Sequence, residues 1–244
     1  MNLSIINSCE VCDSNTLVPV LDLKMHPLCD DLVRIGENRE CKQYPISILY
    51  CPTCKTAHQE YAVPKRELFK FDYHYRARMT RSVLSGMADL VKSISDHVGP
   101  LVEKSVLDIG CNDGSLLSIF EEVGATTLGV EPTSAAHDSD HETYNEFFDT
   151  TLARRILKDH GQFDIITFTN VFAHIEDLNG LLEAVNIVLK PAGHLIIENH
   201  YLGAVLDTKQ FDTFYHEHPR TYSEESFRAI AAKLDRNVTK VEYV

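Results

Sequence analysis

Two groups of side chains in this sequence have the types and spacing to do chemistry. The first is Tyr215-His216-Glu217-His218, behind the run Phe211-Asp212-Thr213-Phe214. Titratable side chains in a row between aromatics are unusual outside a site. His-Glu-His on adjacent residues does not match the helical i, i+4 spacing of zinc hydrolases. General acid–base work fits better, because imidazole titrates nearest working pH. The second group is Cys9-Glu10-Val11-Cys12 with Cys51-Pro52-Thr53-Cys54. Two such knuckles supply four thiolates, enough to close a tetrahedral zinc site with no position left open for catalysis. Such a zinc is structural. The bland alternative is two surface cysteine pairs in a reducing cell. A redox role is weaker, since one CxxC would suffice for it. Cys29 and Cys41, outside CxxC spacing, read as packed thiols.

The elements that must position a reaction centre begin at Val106-Leu107-Asp108-Ile109-Gly110-Cys111-Asn112-Asp113-Gly114. An apolar run breaks at two glycines, and Ser115 starts a helix. This is a strand–loop–helix in which backbone N–H groups at a helix start face a ligand. The middle glycine of the dinucleotide fingerprint is missing, so close approach of a pyrophosphate is not expected. Glu131-Pro132 ends the next apolar run, where an acidic side chain would take ribose hydroxyls. An adenosine ligand with a small charged tail suits these features, and S-adenosylmethionine is one.

From Ser105 onward strands and helices alternate, predicting a doubly wound α/β fold with a parallel sheet. Strands are expected at 105–109, 127–130, 163–169 and 193–198, with a short one near Tyr144. Helices are expected over 115–123, 150–159 and 177–189, and Ser223 caps another that ends near Leu234. Residues 237–244 read as a last strand. Ahead of the sheet, apolar residues recur at helical spacing from Met79 to His97. Residues 1 to about 60 look strand-poor apart from 45–50. Ligands collect beyond the carboxyl ends of such strands. That rule selects Asp108 to Gly114, Glu131, Asn170 to His174 and Asn199 to Tyr201. His174 is either a rim residue near the cofactor or a packed or solvated histidine. Tyr73 and Tyr75 alternate in Asp72-Tyr73-His74-Tyr75, where they also suit a hinge cover.

The 244 residues allow one sizeable α/β domain plus a small module, and their net charge of −13 argues against a nucleic-acid surface. No apolar run reaches the roughly eighteen residues of a membrane span. The first residues lack a signal peptide's basic start, so a cytoplasmic, reducing setting is expected.

Taken together, the two cysteine pairs, Asp72-Tyr73-His74-Tyr75, the run Asn170-Val171-Phe172-Ala173-His174-Ile175-Glu176-Asp177-Leu178, and Phe211 to His218 with Tyr222-Ser223 resemble the sugar C-methyltransferase family. The resemblance runs in order over nearly the whole chain. It implies a zinc-binding domain (1–62), a connector and lead-in helix (63–98), and a Rossmann-like class I methyltransferase sheet (99–244). It also implies methylation of the carbon beside the ketone of a nucleotide-linked deoxysugar. His218 would be the base, with Tyr215 and Glu217 around the sugar. His174 and Tyr73 would border the same pocket, Tyr75 being the alternative tyrosine. Cofactor contacts are expected from Tyr75, Asp108, Gly110, Asn112, Asp113, Gly114, Glu131, Pro132, Asn170 and Val171. Members of the family continue into a further C-terminal domain. The expectation is therefore a fragment, a split protein, or a chain whose partner supplies that domain. Two other readings stay open: methyl transfer to oxygen or nitrogen of a small molecule, and a non-catalytic cofactor- or zinc-binding half of a complex.

Overall fold

Gln43–Tyr50 buries Tyr44, Ile46 and Ile48 in alternation, the period-two pattern of a strand with one covered face. In the computed structural model, which describes residues 3–68 and 74–244, this strand is the third in the chain. Before it come β1 (Ser4–Ile5) and β2 (Val18–Pro27); β3 is Gln43–Tyr50, and β4 (Ala57–Gln59), β5 (Tyr61–Ala62) and α1 (Lys65–Leu68) follow. Next are α2 (Arg81–Val98), β6 (Ser105–Ile109), α3 (Ser115–Glu122), β7 (Thr126–Val130), β8 (Thr143–Tyr144) and α4 (Thr150–His160). The remainder is β9 (Phe163–Thr169), α5 (Leu178–Val188), β10 (Leu189–Glu198), α6 (Leu202–Thr208), β11 (Arg220–Thr221) and α7 (Glu224–Lys233).

These elements form two compact units. One comprises Met1–Leu68, Ala173–Asn179 and Asn199–Val244, and the other Phe69–Phe172 and Gly180–Glu198. The first unit holds a four-stranded sheet in the order β11-β4-β3-β2, and a small β1-β5 pair. Its core joins Ile46, Ile48 and Ala57 to Leu202 and Val205 of α6 and to Phe214.

The second unit is a five-stranded sheet in the order β10-β9-β6-β7-β8, parallel throughout. The chain runs outward from β6 through β7 to β8, then returns to β9 on the other side. That reversal is a topological switch point, and it lies between β6 and β9. Val91 and Ile94 of α2 pack with Val106, Leu116, Phe120 and Ile165 to form the core. Asp149 caps α4 by accepting from Leu152 N–H at 2.9 Å. In the first unit, Ser223 and Ser226 form a reciprocal capping box on α7. No helix among the described residues is long and apolar enough to cross a membrane.

Three expectations are corrected. The N-terminal segment is not strand-poor: β2 pairs with β3 along its length, through two register shifts. Residues 237–244 form no strand, because no neighbouring strand among the described residues pairs with them. Instead Tyr243 donates to Glu224 at 3.2 Å and its ring lies 5.1 Å from that of Tyr201. Cys29 is exposed rather than packed, while Cys41 is half-buried and donates to Asp31 O.

Candidate functional site

In the second unit, the loop after β6 is held from both sides. Asn112 accepts from Ala77 N–H at 3.0 Å and donates to Tyr75 O at 3.2 Å. Asp113 accepts from the backbone and the guanidinium of Arg78, each at 3.0 Å, and from Ser115 Oγ at 2.6 Å. Loss of solvent pushes the Asp113 carboxyl up, but the Ser115 hydroxyl and then the Arg78 donors outweigh it and hold the group below the usual carboxylate range. Asn112 has φ 52°, a left-handed conformation that asparagine tolerates and that turns the chain into α3. Gly110 has φ 75°, and a Cβ there would meet Val171 Cγ2 at 2.4 Å. The sequence reading places Gly110 among the cofactor contacts; in the structure the side chain nearest to it is Val171, just beyond β9.

Glu131 is buried, and both its oxygens are engaged. Oε2 accepts from Asn112 N–H at 3.1 Å; Oε1 accepts from Thr133 N–H at 2.8 Å and from its hydroxyl at 2.6 Å. Oε2 keeps one acceptor site open, whereas both sites on Oε1 are taken. Pro132 follows, half-buried. Asp108, buried beneath the loop, is pushed up to about 7 by loss of solvent, against the Thr167 hydroxyl that donates to it at 2.6 Å. Asn170, exposed at the tip of β9, has φ 55° and donates to Glu198 O at 2.9 Å. Tyr75 is exposed. Tyr73 lies outside the described residues.

In the first unit, His174, His200, Tyr215 and His218 form one aromatic cluster. The His218 ring stacks on His200 with centroids 4.3 Å apart and an interplanar angle of 24°. It lies 4.7 Å from His174 and 4.2 Å from Tyr215. Thr213 O is 3.0 Å from His218 Nδ1, and a carbonyl only accepts, so Nδ1 carries the proton and Nε2 the lone pair. The same logic applies to His174, whose Nδ1 donates to Glu217 O at 2.9 Å. Loss of solvent and the neighbouring His174 and His200 push His218 down to about 3, which keeps it in its basic form. His200 is pushed down to about 4 for the same reason. Glu217, buried and raised by loss of solvent, accepts the Cys29 thiol at 2.7 Å. Asn199, next to His200, has both side-chain polar atoms buried without a partner.

Also in the first unit, Cys9, Cys12, Cys51 and Cys54 place their sulfurs within 4.8 Å of one another. The two knuckles are built alike. Asp13 N–H donates to Cys9 O at 2.8 Å and Lys55 N–H donates to Cys51 O at 2.9 Å. Asp13 and Lys55, each following a second cysteine, have φ 61° and 60°. Cys9 and Cys54 sulfurs are 3.4 Å apart, and those of Cys12 and Cys51 3.6 Å. A tetrahedral zinc with its usual sulfur distance needs edges of about 3.8 Å, so the four residues fit the ion. The Cys9 thiol pulls its Cys54 neighbour down to about 5, ready as a thiolate.

Sequence reasoning missed three residues of the first unit. His200 fell within the strand-tip region but received no role; Cys29 was set aside. Arg220, fully buried, donates to the carboxylate of Glu10, to Ile175 O and Glu176 O, and to Tyr222 OH at 2.9 Å. It ties the first knuckle to the segment that carries His174. Its only signal was its place between His218 and Tyr222.

Comparison with known proteins agrees with this geometry. The family described as "Methyltransferase domain" matches residues 75–241, and that described as "Putative zinc binding domain" matches residues 9–69. The chain is similar to C-methyltransferase NovU of Streptomyces niveus, 28% identical over 220 residues, covering 87% of this chain and 52% of the relative. A ubiquinone biosynthesis O-methyltransferase of Acinetobacter baylyi is 30% identical over 109 residues, covering 42% of this chain and 46% of the relative. The chain thus spans about half the length of the curated relatives it matches. The solved structure of the plantazolicin methyltransferase BpumL in complex with SAH superposes with a TM-score of 0.50 at 16% identity, over 64% of this chain and 65% of that one. That likeness concerns the fold alone. With a class I sheet, a switch point at β6 and β9, and a four-cysteine cluster ahead of them, the chain belongs to the S-adenosylmethionine-dependent methyltransferase family and carries an N-terminal structural zinc domain.

Proposed function

We propose that the chain transfers a methyl group to carbon, acting beside the ketone of a nucleotide-linked deoxysugar. The observation that carries this reading is the His218 imidazole, whose Nδ1 is tied to the Thr213 carbonyl so that Nε2 is the acceptor, with the rings of His174 and Tyr215 beside it. A heteroatom nucleophile needs little help from a base, whereas a C–H is acidic only when a base and an oxyanion partner act together. His218 Nε2 takes the proton from the carbon next to the ketone, and the electron pair spreads onto the ketone oxygen. Tyr215 is a phenol donor suited to that oxygen, and the Asn199 amide is a second donor. Glu217, held by Cys29, suits a sugar hydroxyl. Bound S-adenosylmethionine supplies the electrophilic sulfonium methyl; Gly110 to Gly114, Glu131 and Asn170 are the residues to hold it, and the zinc stays structural. The name of the Streptomyces niveus relative, a C-methyltransferase, and the Phe211 to His218 signature support the reading.

The test is deuterium exchange, followed by NMR, at the carbon beside the ketone of a thymidine diphosphate keto-sugar in D2O. Exchange is expected with the unaltered chain and absent in His218→Ala, with S-adenosylmethionine binding equal in both. Unchanged exchange in the variant would remove His218 as base. Absence of sugar binding to the chain by itself would favour the non-catalytic reading.

A further inference from the structure

The carboxyl ends of β9 and β10 frame a cleft of about 190 Å³ in the second unit, facing Gly86 and Met87 of α2. Thr169, Asn170 and Glu198 line its polar side. No atom stands within 4 Å of where a Cβ of Gly86 would be, so that wall leaves room for a small group.

The polar side is unsatisfied. Among the described residues the Glu198 carboxylate has neither hydrogen bond nor ion pair, and loss of solvent raises its pKa. Thr169 Oγ1 is buried with no partner. An acceptor carrying negative charge beside an orphan hydroxyl is a poor surface for an anion or a hydrocarbon. It suits a cation.

Location narrows the cation. Asn170 is the chain neighbour of Val171, whose methyl fills the space beside Gly110. β9 pairs directly with β6, Thr167 opposite Asp108. The cleft therefore lies one strand beyond the switch point, at the same carboxyl edge of the sheet as the loop proposed to receive the methyl donor. S-adenosylmethionine brings two positive groups, its sulfonium and its ammonium. We propose that Glu198 is the counter-charge for a cationic group of the bound methyl donor, with Thr169 completing the polar wall. The assignment rests on S-adenosylmethionine being that donor and adds the residue that reads its charge.

Three ligands separate the possibilities in calorimetric titrations of the full chain. S-adenosylmethionine carries both positive groups, S-adenosylhomocysteine only the ammonium, and 5′-methylthioadenosine neither. Glu198→Gln should weaken S-adenosylmethionine roughly 10- to 100-fold, the worth of one charge-assisted contact. It should leave 5′-methylthioadenosine within about twofold. Loss for S-adenosylhomocysteine as well assigns the ammonium; its sparing assigns the sulfonium; either outcome supports the proposal. Glu198→Asp, which keeps the charge, should retain more affinity for S-adenosylmethionine than Glu198→Gln. An unchanged S-adenosylmethionine affinity in Glu198→Gln, or equal losses for all three ligands, would overturn the assignment alone. Failure of the unaltered chain to bind any of the three would overturn the donor reading and this proposal together.

Discussion

A Cβ on Gly110 would stand 2.4 Å from Cγ2 and 2.9 Å from Cγ1 of Val171, far inside van der Waals contact. The loop after the first parallel strand and the loop after the fourth are thus fitted to each other, with φ 75° at Gly110 adding a second restriction. Gly110→Ala should cost about 2–4 kcal/mol, combining a left-handed non-glycine with overpacking. Adding Val171→Ala should restore the overpacking part and leave about 1–2 kcal/mol. Urea unfolding of the single and double variants measures both, and an additive double variant would refute the contact.

Metal analysis of freshly purified protein should find one zinc per chain. X-ray absorption should report four sulfur neighbours near 2.3 Å. Cys54→Ser should lose the ion and destabilise the first unit, whereas Cys111→Ser, outside the cluster, should keep it. Protein with no zinc would overturn the four-cysteine assignment.

Acid should destabilise the fold through its buried imidazoles. His218 and His200 are held at about 3 and about 4 when folded, below the unfolded value near 6.5. Between those limits the unfolded chain binds more protons, so stability rises with pH in that window. Their contribution is complete above about pH 6.5 and is lost progressively as pH falls toward 4 and then 3. His218→Gln should flatten the dependence by up to about 1.4 kcal/mol per pH unit, measured by urea unfolding from pH 7 to 4.5. An unaltered slope would contradict the burial of His218 as a neutral ring.

Arg220→Met should be among the most damaging single changes. It would leave the Glu10 carboxylate and the Ile175 and Glu176 carbonyls without their donor, at a cost of about 3–5 kcal/mol. Arg220→Lys should rescue only part, because an ammonium cannot reach four partners arranged for a planar fork. A loss below about 1 kcal/mol in zinc-loaded protein would show that this network is incidental.

What could be read in advance followed from local pattern. The CxxC pairs are complete in four residues each, and Val106 to Gly114 announces its strand, loop and helix through apolar run and glycines. β2 was illegible because most of its side chains are exposed and Pro19, Asp22 and Lys24 interrupt its alternation. Residues 237–244 misled in the opposite sense: a strand-like sequence is not enough, because a hydrogen-bonded neighbour must also be there. The roles of His200, Cys29 and Arg220 are tertiary facts. Cys29 reaches Glu217 across 188 positions of sequence and Arg220 reaches Glu10 across 210. No window of neighbouring residues contains such information.

The first unit is assembled from three separated stretches of chain. β4 pairs with β11 through His58 opposite Arg220 and Ala57 opposite Thr221, and the Cys54 carbonyl receives the hydroxyls of Ser223 and Ser226. During synthesis on the ribosome, the cysteine-bearing segment emerges ahead of these partners and must wait for more than a hundred further residues before they exist. Its early thiols are therefore exposed to oxidants and to competing metals throughout that interval, and early zinc capture would shelter them.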